Sequence, residues 1–373
     1  MERALSDGGS LPYDPMSQYE LSVPYETSFI EEWESFEHGV KHSGRFYLDR
    51  QREYIERIFR PLLNGELHRG KPPIIEIGAE GSDIQFIYRA RAANTAAEQK
   101  RIFENPPREL APPPATLRTA GRMNAAGVVA FYGATDATTC IAELAIPFGG
   151  AAVVGKFKCL RPLRVLDFRL LRSARMQYSY FDPTLTERLG YQHFMQSLRN
   201  LLRRPVLPGH EDLDYLPTQM IAEFLAHEGL DGAMFISSVT PEASDEAQYE
   251  LAPDASAKDL RPAGVAGINI VVFSHAAGVV NDMGPPRRRV IRVHPPVEME
   301  PPFDGWLYVE IGKGAPPEDP DPLPYPEYDD ANEPTLELME DEIVLAYPKK
   351  IEYSIVSMAP TFAVPEDDAL TPF

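Results

Sequence analysis

The chain has 373 residues and a formal net charge of −20, from 56 acidic against 36 basic side chains. A surface this acidic repels phosphate, which argues against broad binding to DNA, RNA or an anionic membrane but leaves room for a local basic cleft. The 43% hydrophobic fraction supports a real core, as one large domain with additions or as two domains, and the 37 prolines imply extended, irregular connections. Cys140 and Cys159 suit free buried thiols in a reducing compartment better than a single disulfide. No basic-plus-apolar leader and no run of about 18 apolar residues is visible, so the expectation is a soluble, cytoplasmic protein.

Residues 1–27 show no period and read as a loosely ordered lead-in. From Ser28 to Val40 the residues Phe29, Ile30, Trp33 and Phe36 recur at helical spacing. A stronger helical stripe runs from Leu48 to Leu63 through Ile55, Ile58, Phe59 and Leu62, with charges opposite. Together they predict an N-terminal helical unit over residues 1–70. His38 and His42 are four apart, a spacing that suits a metal on a helix. Gly39 and Ser43 weaken the helix there and no third ligand is in view, so no metal site is assigned.

Residues 72–78 predict a strand or edge element, and residues 83–91, DIQFIYRAR, a strand carrying Arg89, with Arg91 on the same face as the register alternative. The proline-rich stretch 104–118 is expected to be a rigid loop over a cleft. Residues 121–143 hold Gly121–Arg122, a turn from Asn124 to Gly127, an apolar run from Val128 to Tyr132 and the turn GATD. Asp136 can N-cap a helix from there, which puts Glu143 about two turns in. By spacing alone, the plain description is a surface arginine, a core tyrosine and a solvated glutamate.

Strands are predicted over 151–158 and 163–168, with Asp167 structural, and helices over 183–202 and 214–229. On the latter, Gln219 and Glu223 are four apart. Residues 231–238 read as a strand ending in Ser237 and Ser238, which point to opposite sides. A loop is expected over 240–265, then a closing strand over 267–273 with Asn269 as its polar residue. Arg287, Arg288, Arg289 and Arg292 form a basic spot that reads as a solvated face. Residues 316–330 combine acids and prolines and predict an extended connection. Strand-like runs at 306–311 and 342–356 are expected to add a hairpin or cover an edge. There is no P-loop, no dinucleotide-binding glycine motif, no H-E-x-x-H and no G-x-S-x-G elbow.

Five of these segments, in this order, resemble motifs of the RES-domain family. They are the aromatic–arginine pair Tyr88–Arg89, the G-R-x-N-x-x-G run at 121–127 continuing to Tyr132 and Glu143, Y-x-x-T-Q-x-I-A-E at 215–223, D-G-x-x-F-x-S at 231–237 and G-x-N-x-V-x-F at 267–273. The resemblance covers about residues 83–273, within a domain placed at 71–280. A Pro- and acid-rich extension over 281–373, the N-terminal helices and the 240–265 insertion depart from compact members.

Studied members of that family are NAD-degrading toxins that pair with an Xre-type antitoxin, on a fold similar to ADP-ribosyltransferases. The resemblance therefore implies an α+β fold, a curved mixed β-sheet with surrounding helices. It also implies cleavage of the nicotinamide–ribose bond of NAD, as a glycohydrolase or an NAD phosphorylase. Arg89, Tyr132, Glu143 and Ser237 carry over as catalytic positions, and Arg122, Ser238 and Asn269 as NAD-binding ones. NAD is the substrate, with no metal and no separate cofactor.

The chemistry needs such groups. A guanidinium holds pyrophosphate by paired charge-assisted bonds, with Arg89 first choice and Arg122 second. An aromatic face such as that of Tyr132 stacks on the cationic ring. A carboxylate, Glu143, stabilises the oxocarbenium-like ribose. Ser237 is expected to hydrogen-bond the ribose or the nicotinamide amide, a positioning task rather than a nucleophilic one, and Asn269 to hold a loop or a ribose. An ADP-ribosyltransferase acting on a macromolecule, and a non-catalytic binding module, remain the alternatives; a homo-oligomer is left open.

Overall fold

The structure is a computed structural model and describes residues 28–43, 48–66, 72–147, 149–173, 179, 181–202, 204, 206, 209–239, 249–250, 266–280, 289–294, 308–313, 334–339 and 342–348. The lead-in 1–27, most of the 240–265 loop, Arg287, Arg288 and the acidic run 316–330 lie outside these residues, as do residues 349–356 of the last expected strand.

The two N-terminal stripes fold as read. Helix α1 (Ser28–His42) buries Phe29, Trp33, Phe36 and Val40, and α2 (Asp49–Leu63) buries Tyr54, Ile55, Ile58, Phe59 and Leu62. Next come β1 (Ile74–Ile77), β2 (Phe86–Ala92) and α3 (Ala96–Glu104). Thr95 opens α3 with a reciprocal cap: its hydroxyl accepts from the Glu98 N–H while the Glu98 carboxylate accepts from the Thr95 N–H.

The proline-rich stretch is not wholly a loop. Asn105 caps a short helix, α4 (Pro106–Leu110), by accepting from the Arg108 N–H, and two prolines suit its first turn because they carry no N–H to leave unpaired there. The site segment comes next as β3 (Phe131–Ala134) and α5 (Ala137–Glu143), then β4 (Ala152–Cys159) and β5 (Leu163–Asp167). Asp167 accepts from the backbone N–H and guanidinium of Arg169, the structural part expected of it.

Helix α6 spans Leu185–Leu202. The helix expected at 214–229 is α8 (Leu216–His227), with Pro217 in its first turn, and a short additional helix, α7 (Glu211–Asp214), precedes it. Strands β6 (Gly232–Ile236), β7 (Tyr249–Glu250), β8 (Ile268–Val272), β9 (Arg289–His294), β10 (Tyr308–Lys313), β11 (Leu336–Leu338) and β12 (Val344–Pro348) complete the described elements. None of the described helices is long and apolar enough to cross a membrane.

Among the described residues, ten strands form one mixed sheet in the order β1-β5-β6-β8-β3-β2-β4-β12-β7, with β11 also on β4; β9 and β10 pair separately. Only β5 and β6 run parallel among the strands paired in that sheet. With helices against it, this is the α+β class expected.

Side chains alternate across the pleat, so each strand serves two cores. Leu166, Ala233 and Val271 face a large cluster with α1, α2, α6 and α8. Their neighbours Val165, Met234, Ile270 and Val272 face the other side, with Ile102, Phe103 and Leu110. A third, small cluster lies under α5: Tyr88, Ala134, Ala137, Cys140, Ile141, Ala152, Val154 and Ala346.

Candidate active site

The site begins where two strands part. β2 and β3 share a single register pair, Tyr88 with Ala134. Gly133 permits the approach: a Cβ there would stand 2.5 Å from the Tyr88 carbonyl oxygen. Beyond that point Arg89 reaches across, donating from Nη1 to the Tyr132 carbonyl at 2.6 Å, with its guanidinium carbon 5.1 Å from the centre of the Phe131 ring. A cleft of about 440 Å³ opens beside it. Arg89, Arg122, Tyr132, Glu143, Ser238 and Asn269 line it, which are six of the seven residues singled out from sequence.

The seventh, Ser237, stands behind the wall, fully buried. Its hydroxyl donates to Glu143 Oε1 at 2.6 Å, and the Asn269 amide donates to the same oxygen at 2.7 Å. Among the described residues no hydrogen bond reaches Oε2. Glu143 is the last residue of α5, where the free carbonyls of a helix end disfavour a negative charge, so these two donors both fix and compensate the carboxylate. The helix start is fixed by Asp136, which accepts from the Thr139 N–H at 2.8 Å and from its hydroxyl at 2.7 Å. The exit is sharp: Ala145 takes a left-handed φ of 46°, two residues past Glu143.

Tyr132 is held at its far end. Its hydroxyl donates to Asn124 Oδ1 at 2.7 Å and accepts from the Met123 N–H at 3.0 Å. Burial pushes the phenol up to about 12, against a smaller lowering from the Met123 hydrogen bond, so it stays neutral at ordinary pH. Gly121 is needed here, since a Cβ would lie 2.5 Å from both Tyr132 Oη and Asn124 Oδ1. The Asn124 amide in turn donates to the carbonyls of Thr119, Ala125 and Val128. Buried Gln219 donates from α8 to the carbonyls of Gly121 and Asn124 at 2.9 Å each. The G-R-x-N turn is thus a bracket for the tyrosine, braced from a helix 95 or more residues away.

Arg122 is already engaged. It donates to the Leu202 carbonyl at 2.6 Å and the Arg204 carbonyl at 3.2 Å, closing the end of α6, and lies 5.6 Å from the Tyr215 ring centre. Arg91, the register alternative to Arg89, instead donates to the Glu109 carbonyl and ion-pairs with its carboxylate.

Sequence reasoning gave no site role to Leu202, Tyr215, Phe235 and Ile236, which add apolar lining. Tyr215 and Phe235 were legible only as letters of the family-like motifs; Leu202 and Ile236 carry no local signal beyond hydrophobicity. Among the described residues no group of three or more His, Cys, Asp or Glu is placed to hold a metal. His38 and His42 only set their rings 4.8 Å apart.

No curated protein matches the chain. One solved structure, titled "Crystal structure of the M.tuberculosis MbcT-MbcA toxin-antitoxin complex", is similar at 15% identity over 51% of this chain and 74% of that one. Its TM-score of 0.26 is too low to carry a conclusion. The family model described as "RES domain" matches residues 87–278. With just over half of its length matched, and the matched span holding the whole cleft lining, the chain belongs to the RES-domain family.

Proposed function

We propose that this chain consumes NAD by breaking the bond between nicotinamide and ribose. The observation that carries the reading is Glu143. It is an exposed carboxylate, fixed through one oxygen by Ser237 and Asn269, in the same cleft as Arg89 and Tyr132. The cleft volume lies within the range of small-molecule sites, about 300–1,000 Å³.

In this reading nicotinamide leaves with the bonding electron pair and becomes neutral, while positive charge appears on the ribosyl carbon. The free oxygen of Glu143 stabilises that charge or accepts a ribose hydroxyl. Ser237 acts by positioning Glu143, and Ser238 is the serine available to the ligand. Asn269 likewise orients Glu143. Tyr132 offers a neutral ring for stacking. Arg89 is the first partner for the pyrophosphate; Arg122, with two donors on the carbonyls of Leu202 and Arg204, is the second. Water as acceptor yields ADP-ribose and a proton; inorganic phosphate yields a phosphorylated ADP-ribose. On family grounds the chain would be the toxin of a pair, with an Xre-type antitoxin as its protein partner.

Purified protein incubated with NAD is expected to release free nicotinamide. Analysis of the products with and without phosphate distinguishes glycohydrolase from phosphorylase. Glu143→Gln keeps shape and removes charge, and is expected to lower turnover about 10²–10³-fold, the usual cost of an electrostatic stabiliser. Unchanged turnover in that variant would refute the mechanism. Label from NAD appearing on an added protein or nucleic acid, and not on small products, would decide for a transferase.

A further inference from the structure

The matched family domain ends at residue 278, yet the helix that delivers Glu143 rests partly on residues beyond that point. β12 pairs with the outer edge of β4, Val344 with Val154 through Ala346 with Ala152. β11 pairs further along the same strand, Leu336 with Cys159 through Leu338 with Phe157. Ala346 is fully buried in the cluster that holds Ala137, Cys140 and Ile141 of α5.

Between the two strands stands Glu342, whose carboxylate accepts from Lys156 Nζ at 2.6 Å. The Lys156 side chain is only 11% exposed, with its ammonium 4.3 Å from the Phe86 ring centre. Lys156 pairs in register with Tyr88 of β2, and Gly155 beside it pairs with Arg89. By the pleat, Lys156 is on the face of β4 that Ala152 and Val154 turn toward α5. A lysine this buried in the family domain is stable as a cation where it is paired, and a carboxylate from the C-terminal extension, that of Glu342, pairs with it here.

We propose that residues 342–348 are a positioning element of the active site: β12 and the Glu342–Lys156 pair set where α5 stands, and Glu342, Lys156 and Ala346 act on the reaction through Glu143. The seat is shallow. α5 has seven residues and packs chiefly through small side chains, so a shift of its bed passes directly to its last residue. The consequence for turnover rests on the NAD-cleaving reading; the consequence for α5 does not.

The experiment compares the full-length chain with Glu342→Ala, and with the double variant Lys156→Met, Glu342→Leu, which removes both charges and keeps the bulk. Two readouts are taken on folded protein: amide hydrogen exchange over residues 137–143, and nicotinamide release from NAD. In Glu342→Ala, exchange in α5 is expected to rise and kcat to fall by about tenfold or more, with KM within about twofold, because a small misplacement weakens transition-state contacts more than binding. The apolar double variant is expected to restore both, which loss of general stability would not predict. Unchanged exchange in α5 with unchanged kcat would overturn the proposal, as would equal loss in the single and double variants. If the parent protein releases no nicotinamide, the functional reading fails, and exchange in α5 alone decides this one.

Discussion

The two sides of the cleft are built from different material. On one side α1, α2, α6 and α8 lie over β5, β6 and β8, packed with large rings. Phe59 contacts Phe168 edge-on at 6.5 Å and Phe224 at 6.0 Å, and Trp33 contacts Phe194 at 5.9 Å. On the other side a single seven-residue helix lies over β2, β3, β4 and β8, with Ala346 of β12 in the same cluster, packed mainly with small residues, among them Ala134, Ala137, Cys140 and Ala152. Large apolar side chains bury the most area and make that side the source of stability. Small ones let helix and sheet approach closely, so that side trades buried area for placement of Glu143. Both sides also draw on chain outside the matched domain: the thick side on residues 28–63, the thin side on Ala346 of β12.

Mutations that hit the two sides should therefore separate stability from turnover. Phe59→Ala on the thick side is expected to cost about 3–5 kcal/mol of stability, the usual range for emptying a buried ring site. Urea unfolding measures it, and nicotinamide release per folded molecule should stay near the parent value. Ala137→Leu on the thin side inserts bulk under α5 and is expected to cost only about 1–3 kcal/mol. Turnover should nonetheless fall further than in Phe59→Ala; the reverse ranking would break the comparison.

Tyr132 lies between the sides and gives a pH test. Below about pH 10 the phenol is protonated both folded and unfolded and adds no slope. From there to about 12 the unfolded chain loses the proton while the folded chain keeps it, so unfolding releases a proton and stability falls as pH rises. Tyr132→Phe removes this share of the decline, while Tyr54 and Tyr191, also raised by burial, keep theirs. Stability measured from pH 9 to 12 in both proteins checks it; identical slopes would contradict the burial of the phenol. The smallest effect is expected from Ala145→Gly. It relieves a left-handed residue at the exit of α5 and should raise stability by about 1 kcal/mol, read as a small rise in melting temperature.

Legibility in the sequence followed the range of the interaction. The α1 and α2 stripes, the Asp136 cap and the strands around Arg89 and Asn269 depend on residues within a few positions, and they fold as the pattern implies. The proline-rich stretch misled because Asn105 and two prolines start a helix as readily as they bar one. The short α7 went unread because its four residues bury nothing and so show no apolar period.

By itself the sequence determined most helices and strands, the ordered motifs and the set of chemically able side chains, because propensity, capping and periodicity are written in neighbours; the class of fold came from the family resemblance those motifs carry. Only the tertiary structure decided which serine faces the cleft and which holds Glu143, that Arg122 closes α6, and that a strand from the far C-terminus lies along β4. Those outcomes depend on register and on contacts between residues about 80 to 190 positions apart. Such contacts form only when the whole sheet has been assembled and its pleat has fixed which side each residue takes.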